Sequence, residues 1–169
     1  MELSIQVEQA ADVEAVENLM LQAFANHPHS NNQEYKLVNA LRVAGACAVA
    51  LLAKKDGALC GAVYASLIQL NGVEDGWYCI APVAVSPAEQ KQGIGQALMR
   101  AALHQLQQLG AKGCVIVGDP AYYSRFGFAR HEGLVSPGIP DEYVMGLAFA
   151  DAKPQGRIDY HAAFLAMEA

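Results

Sequence analysis

The chain has 169 residues, enough for one ordinary domain with a real core and short for two independent ones. A hydrophobic share of 53% against a charged share of 17% excludes a disordered or coiled-coil chain. The formal net charge of −6 leaves no excess of Lys and Arg to track a phosphate backbone, so nucleic acid is not an expected partner.

Residues 3–8 (LSIQVE) alternate as a strand, and Asp12 is placed to cap a helix whose apolar positions Val13, Val16, Met20, Ala23 and Phe24 follow helical spacing. The polar stretch 27–33 reads as a loop, and Leu37, Val38, Leu41 and Val43 as a second, shorter helix ending at Gly45. An apolar run over 46–54, the turn Lys55-Asp56-Gly57, a strand over 58–70 and the turn Asn71-Gly72 predict an antiparallel meander, with Trp77–Val85 as its next arm. A long helix follows, striped by Ile94, Leu98, Ala101, Ala102, Leu106 and Leu109 and ended by Gly110. Cys114–Val117 then reads as a buried strand running parallel to the preceding one, which makes a strand-helix-strand crossover. Asp119-Pro120 opens another helical turn, with Asp119 as its expected cap, residues 130–142 read as a surface loop, and Tyr143–Phe149 reads as a late strand. The last segment, 150–169, is expected to dock back through Ile158, Tyr160 and Phe164, so that 1–169 forms a single domain of α/β (α+β) type around a mixed sheet.

The N-terminus lacks a basic region followed by an apolar run, and no stretch is long enough to cross a bilayer; the expectation is a cytosolic protein without a membrane partner. Cys47, Cys60, Cys79 and Cys114 sit in apolar runs with no C-x-x-C spacing, as buried reduced thiols do. His27 and His29 flank Pro28, but zinc sites need three or four ligands and no third candidate lies near, so no metal is expected.

The chemistry concentrates where Gly93-x-Gly95 opens the long helix. The first N–H groups of a helix lack internal partners and the helix dipole adds partial positive charge, which makes an anion site. Glycine lets the backbone approach phosphate oxygens, and Lys91 adds a cation. A Walker loop would require Lys followed by Ser or Thr after the second glycine, and none follows Gly95. A dinucleotide fingerprint would require Gly or Ala at Leu98 and a turn leaving its strand directly, whereas Ser86 to Gln92 intervene.

The string Val83-Ala84-Val85-Ser86-Pro87-Ala88-Glu89-Gln90-Lys91-Gln92-Gly93-Ile94-Gly95 resembles the acetyl-CoA signature of the Gcn5-related N-acetyltransferases, the GNAT family. Downstream, Gly118-Asp119-Pro120-Ala121-Tyr122-Tyr123-Ser124-Arg125-Phe126-Gly127-Phe128 is similar to the family's Y-x-x-x-G-F segment, and with Ala81-Pro82-Val83-Ala84-Val85 it resembles the YhbS-like branch. The resemblance implies a mixed sheet splayed between two parallel strands, with helices on both faces. It also implies acetyl-CoA as acyl donor and an amine as acceptor. By the same resemblance backbone groups of Val83 and Val85 bond the pantetheine amides, the N–H groups of Gln92, Gly93, Gly95 and Gln96 hold the pyrophosphate, and Ala84, Gln90, Lys91 and Ile94 belong to the same cofactor-binding stretch. Tyr123 protonates the departing sulfur, with the neighbouring Tyr122 able to serve in its place. Glu74 and Asp75 stand where relatives sometimes place a base, with solvent as the alternative. Two rival readings stay open: a catalytically silent acyl-CoA sensor using the same slot, and a cysteine-dependent acyl transfer through Cys79 or Cys114. Nothing encodes oligomeric state, and a homodimer stays open.

Overall fold

The computed structural model describes residues 2–27 and 30–168. Thirteen α and β elements are named here in chain order: β1 Leu3–Val7, α1 Val13–Phe24, α2 Glu34–Val43, β2 Val49–Lys55, β3 Ala58–Leu67, β4 Gln69–Leu70, β5 Trp77–Val85, α3 Ile94–Gln108, β6 Gly113–Val117, α4 Pro120–Tyr123, β7 Leu134–Val135, β8 Val144–Ala148 and β9 Gly156–Asp159. The main sheet has the order β1-β2-β3-β5-β6-β8, antiparallel throughout except for the parallel pair β5 and β6. β2 and β3 join through Asp56 and Gly57, both at positive φ (52° and 85°), as a two-residue hairpin turn requires.

Side-chain alternation divides the core. One face takes α3, whose Ile94, Leu98, Met99, Ala102 and Leu106 pack on Val49, Leu51, Val63, Ile80 and Ile116. Each such side chain contributes about 1.5–3 kcal/mol when fully buried. The stripe is narrower than its sequence suggests, because Leu109 is exposed beyond the helix end. Gly110 stands at φ 79°, the expected left-handed stop. The opposite face takes α1 and α2 over Leu52, Ala62, Tyr64 and Ala84. Arg42 of α2 donates to both carboxylate oxygens of Glu8 (2.6 and 3.1 Å) while the Tyr64 hydroxyl donates to the same carboxylate at 2.6 Å, which fastens α2 to the residue that follows β1 and to the sheet centre.

Three local expectations are corrected. Asp12 directly precedes α1, yet its carboxylate does not cap that helix; it accepts from the Gln9 N–H at 2.8 Å and pairs with Lys54 at 3.0 Å. The strand expected over 58–70 breaks at Ile68, because the Asn71-Gly72 turn closes Leu70 directly onto Val73 and so keeps β4 off the arm at Trp77. β4 pairs instead with β9, and β9 pairs in parallel with β7, a two-residue strand inside the stretch expected to be only loop. This small sheet covers Ile68, Trp77, Cys79 and Val115 on the face opposite α3.

The feature that positions the site lies at β5. Going from Val63↔Val83 to Ala65↔Ile80, the pairing advances two residues on β3 and three on β5, so β5 carries a bulge at Ala81 and Pro82. The parallel ladder with β6 ends just before it, after Trp77↔Gly113, Tyr78↔Cys114 and Cys79↔Val115. Beyond that point β5 stays with β3 as far as Val85 and β6 stays with β8 as far as Val117, so the two strands splay apart. The closed end tolerates no side chain at Gly113, where a Cβ would meet the Leu147 carbonyl oxygen at 2.3 Å and the Trp77 ring at 2.5 Å. Gly113→Ala is therefore expected to cost about 2–3 kcal/mol of stability, read as a lower midpoint in chemical denaturation.

Candidate active site

From Val85 the chain passes through a 3-10 turn, Pro87–Glu89, into Gln90-Lys91-Gln92-Gly93 and the start of α3. Lys91 and Gly93 both have positive φ, 66° and 83°, which doubles the backbone back on itself. The first intrahelical bond is Ala97 N–H to the Gly93 carbonyl, leaving the N–H groups of Ile94, Gly95 and Gln96 without helical acceptors. No acidic residue occupies the first turn, and no side-chain cap is formed among the described residues. Lys55 straps the turn from behind, its ammonium donating to Glu89 Oε2 and Gln92 Oε1 at 3.0 Å each, and Gln90 Nε2 donates to the Val85 carbonyl at 3.3 Å.

The facing wall comes from α4 and the 3-10 turn after it, Ser124–Phe126. Asp119 caps α4, accepting from the Ala121 N–H at 2.9 Å with Pro120 in the first helical position, as that pair predicts. The cap sets the direction of the two tyrosines. Tyr123 turns one edge of its ring onto Gly118, where a Cβ would come within 2.4 Å of Cε2. Its hydroxyl pKa is pushed up to about 12, first by burial, then by Tyr122 and Asp119, so it keeps its proton across the neutral range. The Tyr122 hydroxyl reaches across to α3, 3.1 Å from the position a Cβ on Gly95 would take.

The two walls enclose a cleft of about 440 Å³. Of the residues singled out in the sequence, Val83, Val85, Gln90, Lys91, Gly93, Ile94, Gly95, Gln96 and Tyr123 all line it. Gly93 and Gly95 have no side chains, so what they present there is backbone. Two singled-out residues do not line it: Ala84 is buried against α1 on the other face, and the Gln92 side chain is turned onto Lys55. Three further residues line it: Tyr122, which the sequence offered only as a substitute for Tyr123, and Glu89 and Arg125, which were not assigned from sequence. The two on α4 and its following turn stand within the quoted downstream motif, one and two residues from Tyr123, which is the only signal they carry.

The base candidates lie elsewhere. Asp75 is bound to Lys112 at the closed end of the β5–β6 pair, and Glu74 beside it is exposed. Eight residues separate Asp75 from Val83, roughly 25 Å along a strand. His29 and Pro28 lie outside the described residues; among the described residues no three His, Cys, Asp or Glu side chains gather as a metal group. Cys79 and Cys114 are buried, and burial pushes both thiols up, Cys79 to about 12. A nucleophilic cysteine needs its thiolate, so neither suits covalent acyl transfer. No helix among the described residues is long and apolar enough to cross a membrane.

A bulged strand splayed from its parallel neighbour, with an unpaired helix N-terminus beside the opening, is the geometry the sequence resemblance implied. The family model for the Acetyltransferase (GNAT) family matches residues 13–128. The chain belongs to the GNAT family. Across 95% of its length it is 32% identical to the Escherichia coli (strain K12) protein called uncharacterized N-acetyltransferase YhbS, 97% of which is covered. A crystal structure of a GNAT family acetyltransferase from Brucella melitensis in complex with acetyl-CoA superposes with a TM-score of 0.86 at 39% identity, covering 96% of this chain and 98% of that one. The crystal structure of Escherichia coli YhbS in complex with CoA gives 0.87 at 30% identity, with 97% and 92% covered. As a GNAT protein the chain is an acetyltransferase, its likeness to YhbS extends over 95% of its length, and the mixed sheet with helices on both faces is that of the family.

Proposed function

We propose that this GNAT acetyltransferase moves an acetyl group from acetyl-CoA to a primary amine by direct attack, with Tyr123 as general acid. The observation that carries the reading is the convergence on one cleft of the β5 segment freed by the bulge, the phosphate-type turn at Gly93–Gly95 and the protonated hydroxyl of Tyr123. The pyrophosphate would rest on the N–H groups of the turn beside Lys91, and the pantetheine arm would run along β5 past Val83 and Val85. A backbone N–H of β5 near Val83 would polarise the thioester carbonyl and hold the oxyanion of the tetrahedral intermediate, a contribution of about 3–4 kcal/mol in acyl-transfer enzymes. The amine nitrogen bonds to the acetyl carbon, the C–S bond breaks, and the sulfur takes the Tyr123 proton. The amine's surplus proton leaves to solvent and Tyr123 is reprotonated from it.

Among the described residues Glu89 is the only carboxylate lining the cleft, and Lys55 holds it beside the phosphate turn. The acceptor therefore enters as free base. It follows that kcat/KM rises with pH up to the pKa of the amine itself, about 10 for an alkylamine and lower for an electron-poor one. The raised Tyr123 pKa means that proton donation is present below about 12 and is lost only as pH approaches that value, so no descending limb is expected up to about pH 10. A pH–rate series with two amines of different pKa checks this; an ascending limb that stays put when the amine is changed would require a protein base.

The test of the overall reading is release of free CoA thiol from acetyl-CoA in the presence of an amine panel, alongside thermal unfolding with acetyl-CoA. Turnover with at least one primary amine is expected, together with ligand stabilisation of the native state that grows with ligand concentration. Stabilisation without turnover on any amine would instead identify an acyl-CoA-binding module.

A further inference from the structure

Two cations line the cleft, Lys91 and Arg125, and they stand on opposite walls. Lys91 belongs to the turn itself. Arg125 belongs to the facing wall, and its position is built: its Nε donates to the Tyr122 carbonyl at 3.0 Å, and its guanidinium carbon lies 4.6 Å over the centre of the Tyr122 ring. A cation–π contact together with one backbone bond holds the guanidinium in place and leaves its two terminal NH2 groups to donate elsewhere. Among the described residues Arg125 makes no ion pair, whereas Arg42, Lys54, Lys55, Lys112, Arg130 and Arg157 all do. A guanidinium held open in a ligand cleft, with its charge unmatched in a chain of net charge −6, is a receptor for an anion that arrives with the ligand.

Which anion follows from the order of groups in coenzyme A. On the acyl-CoA reading, Tyr123 and Val83 stand at the reacting end of the cleft and the turn at Gly93–Gln96 at the pyrophosphate; all of them line it. The Tyr122 hydroxyl stands at Gly95, and Arg125 sits over the face of the same ring, so the guanidinium is set off from the turn by a tyrosine side chain. Continuing past the pyrophosphate, the remaining anionic group of coenzyme A is the phosphate monoester on the ribose 3′ oxygen. A monoester offers two oxygens to a planar fork, which a lysine cannot match bidentately. Resting on the acyl-CoA reading above, we propose that Arg125, braced on Tyr122, reads the 3′-phosphate of coenzyme A and makes the protein discriminate against 3′-dephospho-coenzyme A.

Calorimetric titration with coenzyme A and with 3′-dephospho-coenzyme A tests this on the full chain. The wild-type protein is expected to prefer coenzyme A by about tenfold, equivalent to about 1.4 kcal/mol. In Arg125→Gln that preference falls to within about twofold, through loss of affinity for coenzyme A alone, and Arg125→Lys restores part of it. Lys91→Gln is the comparison: it weakens both ligands alike, because the pyrophosphate is common to them. Arg125 is exposed, so its variants keep the fold, which thermal unfolding verifies. Equal weakening of both ligands by Arg125→Gln, or a preference that survives it, overturns the proposal. Binding of neither ligand to the wild-type protein overturns the acyl-CoA reading beneath it, a result separable from the other two.

Discussion

Tyr123→Phe is expected to lower kcat by about a hundredfold or more while changing the affinity for acetyl-CoA by less than about twofold. The phenyl ring keeps every contact that seats the tyrosine: the close approach of its edge to Gly118, and the edge-to-face packing on Phe128 and Tyr122, at 6.3 and 5.0 Å between ring centres. What disappears is one hydroxyl that is protonated at neutral pH and lines the cleft. If that hydroxyl delivers the proton to departing thiolate, the loss falls on the chemical step and spares binding. Tyr122→Phe is the matched comparison, since its hydroxyl stands over Gly95 at the start of α3, and it should raise the dissociation constant of acetyl-CoA with a smaller effect on kcat. Steady-state thiol release and calorimetry on both variants decide the matter. Equal losses of rate and affinity in Tyr123→Phe would reduce that residue to a packing role.

The second large effect is expected at Gly95. A Cβ there would stand 3.1 Å from the Tyr122 hydroxyl and 3.6 Å from Val85 Cγ2, so a leucine side chain would grow into the space between the two walls. Gly95→Leu should weaken coenzyme A binding by about a hundredfold or more, which corresponds to about 2.7 kcal/mol. The free protein should lose no stability and gain up to about 1 kcal/mol, because Gly95 sits within α3 at ordinary helical φ and glycine is a poor helix former. A variant with a raised melting temperature that no longer responds to acetyl-CoA is the signature to look for in thermal unfolding. Gly93 gives a less clean test: nothing lies within 4 Å of a Cβ there, but its φ of 83° strains any other residue, so fold and ligand effects would be mixed.

Much of the site was legible because its determinants are local. Glycines at Gly93 and Gly95, the proline turn before them and the Asp119-Pro120 cap act within a few residues of where they stand, and each appears where its sequence position suggested. The helix stripe and the hairpin turn at Asp56-Gly57 are legible for the same reason. What the chain hides is set by distant partners. Lys55 reads as a hairpin residue, yet its ammonium holds the turn before α3 through Glu89 and Gln92, more than thirty positions away. The Asn71-Gly72 turn breaks the strand at Ile68, but the partner β4 then takes is set by β9, whose Arg157 N–H donates to the Asn71 side chain across 86 positions. Glu74 and Asp75 were candidates by proximity to β5 in sequence, and the length of that strand carries them to its far end. Arg125 was visible within a motif, but that it faces the cleft depends on how α4 rolls onto α3 through Tyr122.

The parallel ladder between β5 and β6 has only three paired positions before the strands part. A strand that parts from its neighbour exposes amide and carbonyl groups that would otherwise be matched, and ordinarily such edges lie at the rim of a sheet, where they invite foreign chains. Here they lie in the middle, flanked by four strands on one side and two on the other. An extended, amide-bearing guest threaded through the gap acts as a seventh strand, and a molecule able to stitch two half-sheets together should slow amide hydrogen exchange on both sides of the gap at once.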